Sequence, residues 1–301
     1  MAKKLPKKVS VEYYKAMLRQ IRLMEKLTMK AYEERIVPLL LKFEYEVQKE
    51  ASVELKTNAR ILGGLSERLR QLHELTLSQI SGEFSSISME VQRLFNREQS
   101  TGIAKKFVNK INIVDKQQTT KAIVKVGGAK AATKLKALDI LQDRGIQSIA
   151  QSAVSRNVGL IQSIPQQYLQ RVQDAVYSGL ADGTGTKAIG KDIADIGGVT
   201  ERRGQFIARD QLGTVNGEIT KKRQQSLGLK KFVWLTSQDE RVRDSHKPLD
   251  GKTFEWDKGA TGSGVTSEVE GLMPGEDFNC RCTSDVVDDD IYDLLDSLSD
   301  N

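Results

Sequence analysis

Three residues of this 301-residue chain have types and spacing that fit a chemical site: Cys280 and Cys282, its only two cysteines, and His246, one of its two histidines. In an extended strand Cys280 and Cys282 point to one face and Arg281 to the other, with the cysteine Cα atoms about 6.6 Å apart. That spacing, with parallel side chains, disfavours a disulfide, whereas a shared metal ion is sterically easier. With His246 as a third ligand and Asp239 or Asp244 as a fourth, the set is a candidate tetrahedral zinc site, because zinc accepts sulfur, nitrogen and oxygen together. The competing reading makes the cysteines small buried residues of a core strand and leaves His246 bonded to a backbone carbonyl. Both readings stay open at this point.

These residues belong to a dense window from Lys230 to Cys282 that also holds both tryptophans. Its pieces are Trp234-Leu-Thr-Ser-Gln-Asp-Glu-Arg-Val-Arg-Asp-Ser-His246, Leu249-Asp250-Gly251 and Met273-Pro-Gly-Glu-Asp-Phe-Asn-Cys-Arg-Cys282. The residues that define the motif are Trp234, Asp239, Arg241, Arg243, His246, Asp250, Gly251, Pro274, Gly275, Asn279, Cys280 and Cys282. Arg241 and Arg243 can face phosphate, yet Asp239, Glu240 and Asp244 are interleaved with them, so internal pairing is the expectation. His246 near carboxylates would suit a metal-dependent hydrolase or nuclease. No Ser/His/Asp order, carboxylate-rich two-metal set or second histidine accompanies it, and the chain reads as a non-enzyme.

In its order of aromatic strand, Asp-x-Arg-Val-Arg-x-x-His, Leu-Asp-Gly, Pro-Gly and Asn-Cys-Arg-Cys, the window resembles the phage minor head protein family, also called Mu F-like or head morphogenesis proteins. A helical lead-in from about Ser163 to Gly228, with Ala208-Arg209-Asp210 and Asn216, is similar to that family too. The resemblance covers roughly the second half of the chain. It implies a minor capsid protein of a tailed phage, associated with the portal protein and with scaffolding or major capsid protein as further partners. It also implies a virion location inside the head after assembly in the host cytoplasm, with a role in head assembly, DNA packaging or DNA exit. The alternative is a nucleic-acid-binding or metal-dependent nuclease protein unrelated to capsids.

A net charge of +6 and a pI near 9.1 permit contact with a polyanion such as double-stranded DNA without demanding it. Such contact would run through phosphates, without sequence preference, from Lys105, Lys106, Lys110, Lys121, Lys125, Lys130, Lys221, Lys222 and Arg223. Lys221, Lys222 and Arg223 close a helical pattern, where cations oppose the partial negative charge of a helix C-terminus, so a nucleic-acid role for them is the second reading. Two cysteines cannot build a disulfide framework, which fits a reducing compartment, and no segment has the apolar length of a membrane span.

The elements that must position the window read as mainly α, with long N-terminal helices, a helical middle region and a small α+β module near the C-terminus. The expected divisions are 1–134, 135–228, 229–284 and an acidic tail at 285–301. Tyr14, Met17, Leu18, Ile21, Met24, Thr28, Ala31 and Tyr32 form one helical stripe, which Pro38 should interrupt or kink. Ile61, Leu62, Leu65, Leu69, Leu72 and Leu75 form a second, continued less cleanly by Ile80, Phe84, Ile87, Val91 and Leu94. A third, with Ile103, Phe107, Ile111 and Val114, should stop near Gly127-Gly128.

Further on, Pro165 should open a helix, Asp182-Gly-Thr-Gly-Thr-Lys187 should be a turn, and Gly197-Gly198 should close a short helix before Thr200 caps the next. Leu229 to Thr236 is the clearest strand. The narrow stripes of the first half suit a helical bundle, with a docking arm for a partner as the alternative. The apolar residues of the tail leave room for a short docking helix there as well.

Overall fold

The computed structural model describes residues 5–54, 62–137 and 144–297. The fold is mainly α with a small antiparallel sheet near the C-terminus: helix α1 (Lys7–Ala31), a π turn (Tyr32–Ile36), α2 (Val37–Glu54), α3 (Leu62–Leu94), α4 (Arg97–Ala137), α5 (Arg144–Ala181), α6 (Thr186–Ser226), strand β1 (Lys231–Leu235), a 3-10 turn (Lys247–Leu249), β2 (Thr253–Glu255), β3 (Thr283–Asp285) and α7 (Asp288–Ser297). Ile61 and the end of the tail, Asp300 included, lie outside the described residues, as do the side chains of Leu62 and Leu65.

The chain forms two compact units, each assembled from separate stretches: one from Met1–Ala16, Thr101–Gly159 and Gln205–Asn301, the other from Met17–Ser100 and Leu160–Gly204. The second unit is helical, and its core gathers Met17, Ile21, Met24, Tyr32, Ile36, Ile80, Phe84, Ile87, Val91, Ile161, Tyr168, Val172 and Ile193. In α3 the half with the less regular pattern is therefore the buried one, whereas Leu75 is exposed. Side-chain spacing marks a face, but only packing decides which stretch of that face is covered.

Several expected breaks are absent because tertiary contacts override local preference. The interruption expected at Pro38 is the exception: the π turn Tyr32–Ile36 separates α1 from α2 just before it, and its wider turn accommodates the missing N–H and the ring. Pro165 lies inside α5 instead of opening it. Gly197 and Gly198 lie inside α6, where a Cβ on Gly197 would come within 3.0 Å of the Glu25 carboxylate. Thr200 is no cap: its hydroxyl donates to the Ile196 carbonyl at 2.9 Å within the same helix. The turn after α5 does form, and Gly128 does interrupt α4, with φ 62° and ψ −149°, a backbone conformation open essentially to glycine alone.

In the first unit, β1 is the central strand of the order β2-β1-β3, antiparallel to both neighbours. Alternation sends Phe232 and Trp234 inward, where they meet Leu249, Phe254, Trp256, Val269, Met273, Cys280 and Cys282. The described part of the acidic tail, through Ser297, is packed against the unit. In α7, Ile291 is buried and Leu294 and Leu295 pack with Leu227, Leu229, Val286 and Ile123, while the Asp290 carboxylate accepts hydrogen bonds from the backbone N–H groups of Lys230 and Lys231 at 2.6 and 2.7 Å. The apolar face expected to be available for docking is thus used inside this unit.

Arg223 also departs from expectation. It is fully buried, with its guanidinium on the equally buried Asp115 carboxylate at 2.7 Å, so it presents nothing to a phosphate and is no dipole-capping surface cation. Lys221 and Lys222 remain half-exposed, and Lys105, Lys106, Lys121, Lys125 and Lys130 are exposed along α4. His73, in α3, is half-buried beside Phe43 at a ring distance of 5.8 Å.

Candidate metal centre

The Cys-x-Cys loop is held in place from α6. The Asn279 backbone N–H donates to the Asp210 carboxylate at 2.6 Å, and Asn279 itself takes a left-handed φ of 54°, which asparagine tolerates better than most residues. Gly213 and Gly217, four residues apart and so on one face of α6, let the loop lie against the helix: a Cβ on Gly213 would meet the Cys280 carbonyl at 2.4 Å, and one on Gly217 the Pro274 carbonyl at 2.4 Å. Gly275 approaches Gly213 from the other side with a φ of 96° that favours glycine. We expect Gly213→Ala to displace the Cys280 backbone and destabilise the fold by about 1 to 3 kcal/mol, as overpacking does. A urea melt within a few tenths of a kcal/mol of the parent would show that this contact does not position the loop.

Asp250 and the Leu-Asp-Gly turn fix the other approach. The Asp250 carboxylate accepts from the Thr236 N–H at 2.7 Å and its hydroxyl at 2.9 Å, and the Gly251 N–H donates to the Trp234 carbonyl at 2.8 Å. These bonds lock the exit of β1 to the turn that carries His246. Arg281 makes a bidentate pair with Asp239, which holds that carboxyl well below the usual range, at about 2. The contribution of this pair is present above the ordinary carboxyl pKa near 3.9 and is lost only as pH falls toward 2.

His246, Cys280 and Cys282 converge, all three buried, with their ligand atoms within 4.8 Å of one another. His246 Nδ1 lies 3.7 Å from Cys280 Sγ and 3.5 Å from Cys282 Sγ. Zinc–sulfur and zinc–nitrogen bonds at a tetrahedral angle would set sulfur and nitrogen about 3.6 Å apart, so the spacing suits three vertices of one coordination shell. The other ring nitrogen, Nε2, faces Asp277 Oδ2 at 3.4 Å. That placement suits a carboxylate that orients a ligating imidazole. It is loose for a hydrogen bond, and among the described residues Nε2 otherwise has no hydrogen-bond partner.

The two thiols are shifted in opposite directions. Cys280 is held well below the ordinary thiol range, first by the hydrogen bond with the Cys282 thiol and, against the opposing effect of burial, by its contact with the His246 ring and by the backbone N–H groups of Cys282 and Gly275. Cys282 is pushed up in turn, chiefly by its bond to the Cys280 sulfur and by burial. Such a pair gives one thiolate ready to take a cation, and a metal would remove the second proton.

Neither proposed fourth ligand joins this group. Asp239 is engaged by Arg281 and by the Arg241 backbone N–H at 3.1 Å, and Asp244 points to solvent against Lys247 Nζ at 2.6 Å. Their charges are satisfied by nearby cations, which sequence distance could not reveal. Arg243, expected to pair locally, reaches instead to Asp277 and donates to the Phe278 carbonyl at 2.6 Å. Asp277, Gly213 and Gly217 were not singled out from sequence; the glycine pair at helical spacing was the available signal.

Residues 170–284 match the family model described as Phage Mu protein F like protein. This region is Mu F-like. The matched stretch contains the distal part of α5, all of α6, the sheet except Asp285, and the whole Cys/His cluster. The chain is also similar to an uncharacterized protein of Haemophilus influenzae, with 42% identity over 126 residues that cover 42% of this chain and 26% of the relative. An NAD(+)–arginine ADP-ribosyltransferase of Enterococcus faecalis shares 30% identity over 126 residues, 40% of this chain and 26% of the relative. A protein of Methanocaldococcus jannaschii shares 28% over 161 residues, 54% of this chain and 24% of the relative. The chain thus spans about a quarter of the length of these curated relatives, and no solved structure matches it significantly. No helix among the described residues of the Mu F-like module, or of the rest of the chain, is long and apolar enough to cross a membrane.

Proposed function

We propose that this chain is a minor head protein of a tailed phage that acts in head morphogenesis, in which the Mu F-like module is a small assembly element organised around zinc. The observation that carries this reading is the match of residues 170–284 to the Mu F-like family. Association with the portal vertex, and a part in DNA packaging or exit, belong to the same proposal. The exposed lysines of α4 supply a surface for non-specific contact with packaged DNA through phosphates.

Zinc, when bound, would be held by His246, Cys280 and Cys282, and would supply a crosslink between the turn after β1 and the loop before β3. Within the protein, Asp277 stands beside the imidazole, and α6 fixes the loop backbone through Asp210, Gly213 and Gly217. No catalytic step is assigned to this arrangement. The test is quantitative mass spectrometry of purified particles before and after DNA filling. The chain should be present at a few copies per head in both; its absence from particles, with its abundance confined to the soluble lysate, would refute the head-protein reading.

A further inference from the structure

Arg209 is exposed on α6, and no carboxylate among the described residues meets its guanidinium. It lines a cavity of about 250 Å³ whose wall includes His246, Cys280 and Cys282. Three more arginines line the same cavity: Arg241, Arg243 and Arg281. Two of the four are neutralised, Arg281 by Asp239 and Arg243 by Asp277. Arg241 is not firmly held, since it is 64% exposed and its nearest carboxylate oxygens, on the adjacent Asp239 and Glu240, lie 3.9 Å away. A larger cavity of about 430 Å³ adjoins the first and shares Arg209, Ser237, Arg241 and Arg281 with it.

Two cations without firm partners on one concavity raise its positive potential, which a concave wall concentrates. The guanidinium fork matches the oxygens of a phosphate in geometry as well as charge. We propose that this cavity is a phosphate-binding site in which Arg209 and Arg241 hold the phosphate oxygens. The site rests on the arginines and the cavity, not on zinc, so it stands or falls separately from the head-protein reading. Free phosphate and a phosphate monoester share the required chemistry, and the adjoining cavity has room for the esterified group.

The experiment is calorimetric titration of the full chain in chloride buffer at low ionic strength, with inorganic phosphate and, separately, adenosine monophosphate. Each titration is run on zinc-loaded and on chelator-treated protein. At least one probe should bind, and tighter binding of the monoester would identify the ester as the ligand form, equal binding the free anion. Arg209→Gln combined with Arg241→Gln should weaken binding at least tenfold in both preparations, because both side chains are at the surface and their loss spares the core. Lys121→Gln combined with Lys125→Gln, which removes two exposed charges from α4, should leave the affinity unchanged. No binding by either probe would overturn the proposal. So would an equal loss in the lysine variant, or binding that needs zinc but survives the arginine changes.

Discussion

Protein purified without chelator is expected to carry about one zinc per chain, and Cys280→Ser or His246→Ala to abolish that stoichiometry. The thiolate that Cys280 already favours and the spacing of 3.5 to 3.7 Å between His246 Nδ1 and the two sulfurs give the metal three ligands before any rearrangement. Structural zinc in small domains contributes apparent binding energies of about 10 to 16 kcal/mol. The effect here is smaller, because Phe232, Trp234, Phe254 and Trp256 form a hydrophobic core of their own around the site. A strong chelator should still lower the melting temperature by roughly 10 °C, the shift that a loss of 3 to 5 kcal/mol brings in a protein of this size. Elemental analysis showing no metal, together with a melting temperature indifferent to chelator, would leave Cys280 and Cys282 as buried core residues and nothing more.

Asp115→Ala is expected to destabilise the first unit by about 3 to 5 kcal/mol, because it strands a buried guanidinium. Arg223 and Asp115 are both fully enclosed, and the network around them draws in the Thr220 hydroxyl at 2.5 Å and the Asn112 side chain. Breaking half of such a pair leaves an uncompensated charge, whereas replacing both members by apolar residues of similar volume removes the charge altogether. The double variant Asp115→Leu, Arg223→Met should therefore recover much of the stability. A urea titration placing Asp115→Ala within 1 kcal/mol of the parent would mean that water or another group reaches Arg223 readily, and the pair would lose its structural importance.

Some of this protein was determined by local pattern alone. The mainly helical fold, the β1 strand with Phe232 and Trp234 on one face, the turn after α5 and the break at Gly128 all follow from side-chain periodicity and backbone preference acting over a few residues. So does the candidacy of His246, Cys280 and Cys282, because few residue types can ligate zinc and these were concentrated in one window. Other features were settled only by tertiary structure. Pro165 and Gly197 sit inside helices because packing along those helices outweighs a lost hydrogen bond or a flexible backbone, each worth only about 1 to 3 kcal/mol. Whether Asp239, Asp244 or Asp277 approaches the cluster depended on which cation each carboxylate pairs with in the folded chain, and those partners are as far away in sequence as Arg281 is from Asp239. Arg223 looked like one of three surface cations at a helix end, yet the step of about 100° that separates it from Lys222 around α6 carries it from solvent to Asp115 on α4. Charge and spacing name the groups able to interact, but burial and pairing between distant segments arise only when the chain has closed on itself.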